Sequence, residues 1–342
     1  MIHFQTQPVS LAAIDIDDRT HQISAPADTE QIEALAVSIT RIGLLSPPLV
    51  GEGAAGMRIV SGFRRMAACH QLKRETVFCR VLAPETAPAV CAQLAVAENA
   101  WHRPLTLMEK ARAFVLLDAV FFSSEHTAPE ITDAGGAGPA KDRAAKLAEI
   151  AAPLGLVENP DMIGKLIRLT RLSPSILAAV ETGTIGLVMA LELGTLDPEE
   201  GGLILGLFQR FRHGLNRQRE LMEMVREIAK RESISIRRLL ASDEIAAILA
   251  RTDLDLPAIG GALRRYLKQR RYPALTRAQI AFEKLEKDLP LRGRIRLNPP
   301  PYFEGSTYQL IFSFDTLAEL KRHHHHFDQI RQHPSLARFL ED

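Results

Sequence analysis

One change of period limits what this chain can fold into. Up to about residue 122, strand-like and helix-like segments alternate; from about 144 to 270, apolar residues recur at helical spacing almost throughout. Beyond residue 276, short strand-like runs return, followed by one more helical stretch. This order predicts an α/β domain over residues 1–122, an all-α domain over 144–275 and a small α+β unit over 276–342. Residues 123–143 are rich in Gly, Ala, Pro and Ser and read as a linker or insertion.

Local signals place the elements of the first domain. Val9 to Ile16 is a short apolar segment. Asp28, with Gln31 three residues on, predicts a helix start; Ile32, Leu35, Ala36, Ile39 and Ile42 then share one face, and Gly43 stops the helix. A proline turn at Ser46-Pro47-Pro48 leads into a strand at Leu49-Val50, and Met57–Val60 and Val77–Leu82 read as two more. Ser61-Gly62 opens a helix. Others are expected at about 87–98 and 106–122, the second with a capping box of Thr106 and Glu109. In the last unit, Arg294–Leu297 and Tyr308–Phe314 predict strands, and a helix carries Leu317, Leu320 and Phe327.

Composition narrows the class. Hydrophobic residues at 46% and charged residues at 24% suit a packed protein. A net charge of +1 announces no polyanionic partner by itself, so local clusters carry that question. Cys69, Cys79 and Cys91 match neither zinc spacing nor a disulfide framework and read as reduced thiols. The opening MIHFQTQPVSLAAIDIDD has neither a basic leader nor a long apolar run. No stretch approaches the roughly 20 apolar residues of a membrane span, so a cytoplasmic protein with no membrane contact is expected. His323 to His326 are followed by sixteen further residues with helical pattern, so the run is treated as native. Neighbouring histidines on a helix point apart, which favours a solvated face over a metal site.

Two segments carry binding chemistry. In Ile59-Val60-Ser61-Gly62-Phe63-Arg64-Arg65-Met66, a strand runs into a glycine and then a helix. A helix N-terminus offers unpaired N–H groups and partial positive charge, which suit a phosphate; Gly62 permits close approach, and Arg64 and Arg65 add charged donors. A solvated helix start is the bland alternative. In Glu98-Asn99-Ala100-Trp101-His102-Arg103, between two helices, Glu98 beside Asn99 is a candidate magnesium pair, and His102 and Arg103 are candidate phosphate donors. A helix C-terminus with dipole-complementing basic residues is the alternative there.

Taken together, Gly43-Leu44-Leu45-Ser46-Pro47, then Ser61-Gly62-Phe63-Arg64-Arg65, then Glu98-Asn99 with Leu105 and Glu109, resemble the N-terminal domain of the ParB family, which has a Gly-Leu/Ile-x-x-Pro turn, a Gly-Glu-Arg-Arg box and a Glu-Asn-x-x-Arg box in this order. The resemblance covers about 1–122 and continues more loosely to about 240. It implies a ParB/sulfiredoxin-like fold that binds CTP and Mg2+, with CTP closing two subunits around DNA and slow hydrolysis reopening them. Carried over by position, Gly62, Arg64 and Arg65 would cradle phosphates, Glu98 and Asn99 would lie by the metal, and Gln22, His102 and Arg103 would complete the nucleotide site. The pattern departs at three places. Phe63 replaces a glutamate, the arginine of the last box falls on His102 with Arg103 one place late, and Gln22-Ile23-Ser24 lacks the arginine of the family's Gln-Pro-Arg. A sulfiredoxin needs a cysteine where Phe63 stands, and Cys69 lies two turns further on.

DNA-binding signals follow. One helical pattern ends near Leu154-Gly155, and a second starts with Asn159 as cap and Pro160 at its first position. Ile163, Leu166, Ile167 and Thr170 face one way and Lys165 and Arg168 the other, the layout of a helix-turn-helix whose second helix enters the major groove. A plain helical hairpin is the alternative. Basic residues also gather at Arg210, Arg212, His213, Arg217 and Arg219, and at Arg264, Arg265, Lys268, Arg270 and Arg271, where phosphate contact and a solvated face are both open.

The leading expectation is a nucleotide-switched, nucleoid-associated DNA-binding protein of partition type. Its expected partners are double-stranded DNA and a second copy of itself, paired at the C-terminal unit; the family adds a ParA-type ATPase. A nucleotide-independent transcription regulator on the same fold is the second reading. An enzyme proper, a nuclease or phosphotransferase using Glu98 at a metal, is the third and has only one convincing carboxylate.

Overall fold

The computed structural model describes residues 3–26, 28–53, 56–122, 139–291 and 294–341. They divide into two compact units, Met1–Leu215 and Asn216–Asp342. In the first, β1 (Phe4–Ser10), β2 (Ile14–Asp15), β3 (Leu49–Gly53), β4 (Gly56–Ser61) and β5 (Thr76–Leu82) form a mixed sheet of order β1-β5-β3-β4-β2. β5 runs antiparallel to β1 and parallel to β3, and β4 runs antiparallel to β3 and parallel to β2.

Helices α1 (Thr29–Ile42) and α2 (Phe63–Gln71) pack together on one side of the first domain. Val9, Ile39, Val50, Ile59, Phe63, Met66, Val77 and Cys79 belong to the core they share with the sheet, each large apolar side chain contributing roughly 1.5–3 kcal/mol on burial. Asp28 caps α1 by accepting from the Gln31 N–H at 2.7 Å, and Gly43 ends it at φ +83. Ile42 is 62% exposed, so the apolar face of α1 stops at Ile39. The early apolar segment also divides: β1 starts at Phe4, and a 3-10 turn at Leu11–Ala13 separates it from β2.

Helix α3 (Pro88–Ala100) packs against β4 and against α4 (Leu107–Phe121). The α4 capping box of Thr106 and Glu109 is formed in both directions. Next come α5 (Pro139–Ala151), a 3-10 turn at Ala152–Leu154, α6 (Pro160–Leu169), α7 (Pro174–Glu181), α8 (Leu187–Leu193) and α9 (Pro198–Phe211). α6 packs against α4, α5 and α8 and buries Ile163, Leu166, Ile167 and Leu169. Three ion pairs tie α4 to this region: Lys110 to Glu158 at 2.6 Å, Arg143 to Asp118 at 2.5 Å, and a close Arg112–Glu181 contact.

Residues 123–138 of the expected linker lie outside the described residues. Residues 139–143 are already the first turns of α5, because Arg143 is held on α4 by Asp118; composition alone places them in the linker. The division between units, at Leu215/Asn216, falls inside the segment expected to form a single helical domain. No glycine-rich or proline-rich run marks it; it falls at the start of α10 (Leu215–Glu232), after α9 ends at Phe211.

The second unit continues with α11 (Ile236–Leu240), α12 (Asp243–Leu249), α13 (Leu256–Arg271), α14 (Pro273–Asp288), the hairpin strands β6 (Ile295–Asn298) and β7 (Gln309–Phe312), α15 (Leu317–Arg331) and α16 (Pro334–Glu341). Ile295 pairs with Phe312 across the hairpin. Phe282, Leu285, Leu289, Ile295, Leu297 and Ile330 form its apolar cluster. Leu317, Leu320 and Phe327 are not part of it and remain 67%, 40% and 43% exposed. Of the four histidines on α15, His323 and His326 are half-buried and His324 and His325 exposed, as helical spacing requires; His323 lies against Phe312, with ring centroids 5.5 Å apart.

Candidate functional site

β4 ends at Ser61, and the chain enters α2 through Gly62 at φ +97. A Cβ at Gly62 would lie 3.1 Å from the Pro48 backbone and from an Arg65 nitrogen. Glycine is therefore required both for conformation and for space. No side chain caps α2, so its first N–H groups keep the positive end of the helix dipole uncompensated. They border a cavity of about 280 Å3 lined by Gly62, Phe63, Arg64, Arg65, Glu98, Asn99, His102 and Arg103, together with His21, Ile23, Ser24 and Ser61.

Seven of the eight expected nucleotide-site residues thus converge on one cleft from two separate segments. Gln22 does not join them. Its Oε1 accepts from Arg19 at 3.0 Å, while its neighbours His21 and Ile23 turn inward. Glu98 and Asn99 lie in the last turn of α3 and not in a loop.

Most polar groups in the cleft already have protein partners. Arg65 donates through one nitrogen to the Ser46 carbonyl (2.6 Å) and hydroxyl (2.7 Å), pinning the turn that leads into β3. Burial pulls its guanidinium below the ordinary value, against the opposing pull of Glu98. Arg103 forks onto Glu109 at 2.8 and 2.5 Å. Burial raises the Glu109 pKa, yet hydrogen bonds from Arg103 and Thr106 hold it below the usual carboxylate range. Glu98 Oε1 accepts from Arg80 at 2.9 Å, and its Oε2 accepts from the Ser61 hydroxyl at 3.4 Å. Asn99 donates its amide to the Ala95 carbonyl of its own helix at 2.8 Å. Arg64 and His102 are exposed and enter no ion pair among the described residues.

This donor set does not fit a magnesium ion held by the protein. Glu98 is paired with Arg80, and Asn99 donates its amide nitrogen to its own backbone, so a carbonyl oxygen is all it has to offer an ion. No group of three or more acidic, histidine or cysteine side chains suited to a metal occurs among the described residues.

Three further residues gain a role at the site only from the fold. His21 is 3% exposed, and its Nδ1 has no hydrogen-bond partner among the described residues. Ser61 anchors Glu98. Arg80 interrupts the apolar run of β5, and a charged residue in a strand of that kind is the one available signal for a buried partner. A neighbouring cavity of about 350 Å3 shares Arg64 and Arg103 and extends to Arg112, Val180 and Glu181. The cleft therefore borders α7 of the helical region.

Lys165 and Arg168 lie on α6, half-exposed, on the side away from Ile163, Leu166 and Ile167. Lys165 donates to Asp161 at 2.7 Å and holds that carboxyl below its usual range. In the second unit, part of one basic cluster is spoken for. Arg264 forks onto Glu220, Arg271 onto Glu227, and Arg270 reaches Glu232 at 2.6 Å, linking α13 to α10. All three cysteines are buried thiols. No helix among the described residues is long and apolar enough to cross a membrane.

Comparison with known proteins bears on residues 3–100, which match the family model of the ParB N-terminal domain. A probable plasmid-partitioning protein ParB of Thermus thermophilus is 27% identical over 241 residues, 66% of this chain and 77% of that protein. Similar solved structures include the C-terminally truncated chromosome-partitioning protein ParB from Caulobacter crescentus complexed with CTP-γ-S (20% identity, TM-score 0.25, covering 57% of this chain and 94% of that one). The same protein complexed to the centromeric parS site is 18% identical, with a TM-score of 0.34 over 64% and 98% of the two chains. A pNOB8-like ParB N-domain is 17% identical, with a TM-score of 0.41 over 78% and 98%.

Proposed function

We propose, for a chain whose residues 3–100 belong to the ParB N-terminal domain family, a partition-type DNA-binding protein whose cleft holds a nucleoside triphosphate, with CTP the expected ligand. The observation that carries this reading is the meeting of the α2 N-terminus, Arg64 and His102 in one cleft. Uncapped N–H groups, a guanidinium and an imidazole with no ion-pair partner among the described residues suit a polyphosphate. Arg65 and Arg103 act mainly as struts, the first on the Ser46 turn and the second on α4.

Duplex DNA is assigned to the helix pair α5 and α6, with Lys165 and Arg168 on its presented face. The second cavity reaches α4 and α7 from the cleft, and α4 packs against α5 and α6, so occupancy of the cleft bears on these helices through α4. Pairing of two copies is assigned to Leu317, Leu320 and Phe327 of α15, which support it by leaving apolar surface exposed. Binding of pooled genomic duplex fragments by the full-length chain, with and without CTP, tests the reading. Retention that responds to CTP and falls in Lys165→Ala/Arg168→Ala is expected. Retention indifferent to CTP supports a second reading, a nucleotide-independent regulator, which the commitment of Arg65 and Arg103 to protein partners favours.

A further inference from the structure

Glu98 is the one carboxylate lining the cleft among the described residues, and both of its oxygens are engaged, one by Arg80 and one by Ser61. Arg80 is itself placed by the sheet. It sits in β5 opposite Leu49 of β3, with its guanidinium 5.6 Å from the Phe4 ring centroid. A divalent cation ligated by Glu98 would have to displace this guanidinium or lie beside it. Either arrangement leaves like charges close together in a partly buried place. Of the other groups of the cleft, the α2 N-terminus and Arg64 attract anions, and Asn99 and His102 offer a metal no negative charge.

We propose that Arg80 stands in for the divalent cation: by neutralising Glu98 it leaves a purely cationic cleft that takes a triphosphate without magnesium. The proposal rests on the nucleotide reading above and specifies how the anion is held. The charge a metal ion would supply comes instead from a guanidinium built into the sheet, so the affinity of the cleft for a triphosphate follows ionic strength and not magnesium concentration.

The test is isothermal titration of the full-length protein with CTP and, separately, with inorganic tripolyphosphate, each in magnesium buffer and in EDTA. The two buffers are expected to give dissociation constants for the wild type within about threefold of each other. Arg80→Gln, which frees Glu98, is expected to bind at least about tenfold more weakly in EDTA and to recover on adding magnesium. Should that variant fail to fold, the wild-type comparison decides alone. Wild-type binding that weakens about tenfold or more in EDTA overturns the proposal and leaves the nucleotide reading standing. Tripolyphosphate bound in EDTA with no CTP bound in either buffer upholds the metal-free anion site and removes the nucleotide reading. No binding of either probe in EDTA overturns the proposal.

Discussion

Trp101 lies across Gly155: a Cβ added at residue 155 would sit 3.1 Å from the indole ring. The chain's one tryptophan follows α3 directly, beside His102 and Arg103 of the cleft, and Gly155, at φ +84, closes the turn that precedes α6. The edge of the cleft thus touches the connection of the candidate DNA-binding helices. Gly155→Ala meets two obstacles, a left-handed backbone and the indole. It is expected to lower stability by about 1–2 kcal/mol in urea unfolding. Trp101→Ala added to it should restore only the steric part. An unchanged midpoint in Gly155→Ala would contradict the contact.

His21 makes stability depend on pH. Burial, with Arg58 nearby, lowers its pKa from the ordinary 6.5, and Asp18 opposes this only in part. The unfolded chain therefore takes up a proton below that value before the folded chain does. The stability held by neutral His21 is complete above pH 6.5 and is lost as pH falls toward the folded-state value. Melting temperature is expected to drop on acidification through this window, and to drop less steeply in His21→Gln. Parallel profiles for the two proteins would refute the assignment.

The thiols should be silent in the native state. Burial, with Cys69 nearby, pushes the Cys79 thiol up to about 11, and burial also raises Cys69 and Cys91. A thiol reagent at about pH 8 is expected to label none of the three until denaturant is added, since the thiolate is the reactive form. Rapid labelling of native protein would show that the core of the first domain opens readily.

Arg264 and Arg271 belong to a ladder. Their partners Glu220 and Glu227 are spaced seven residues apart on α10, as the two arginines are on α13, so two forked pairs stack along the same pair of helices. A double-mutant cycle on either pair should return a coupling of about 0.5–1 kcal/mol, fading in high salt. Arg264→Ala/Arg271→Ala should cost stability and leave DNA affinity within about twofold. A steep loss of DNA affinity at unchanged stability would instead make these arginines phosphate contacts.

How much of this is legible in the sequence depends on whether the signal is local. The Asp28 cap, the Gly43 stop and the Thr106–Glu109 capping box are encoded within a few residues, and each appears where the spacing puts it. The convergence of Gly62, Arg64 and Arg65 with Glu98, Asn99, His102 and Arg103 follows from a strand–glycine–helix junction and the end of α3, both marked by motif. What escapes is pairwise and distant. Arg80 finds Glu98 eighteen residues away, Arg65 finds Ser46 across nineteen, and Arg264 finds Glu220 across forty-four. A side chain's type announces its charge but not its partner, so Arg65 and Arg103 read as phosphate donors, and Arg264 as either a phosphate contact or a solvated charge, until the fold shows them engaged. The unit boundary at Leu215 escapes for another reason, since it falls at an ordinary helix start with no glycine-rich or proline-rich run to mark it.

The central claim is that the cleft binds a nucleoside triphosphate through the α2 N-terminus and Arg64. Isothermal titration of the full-length protein with CTP, ATP, GTP and UTP, beside Arg64→Ala, tests it most directly. Selective heat of binding for CTP, weakened about tenfold or more in Arg64→Ala, is the predicted result. A folded wild-type protein that binds none of the four, with pooled duplex DNA present or absent, would contradict it.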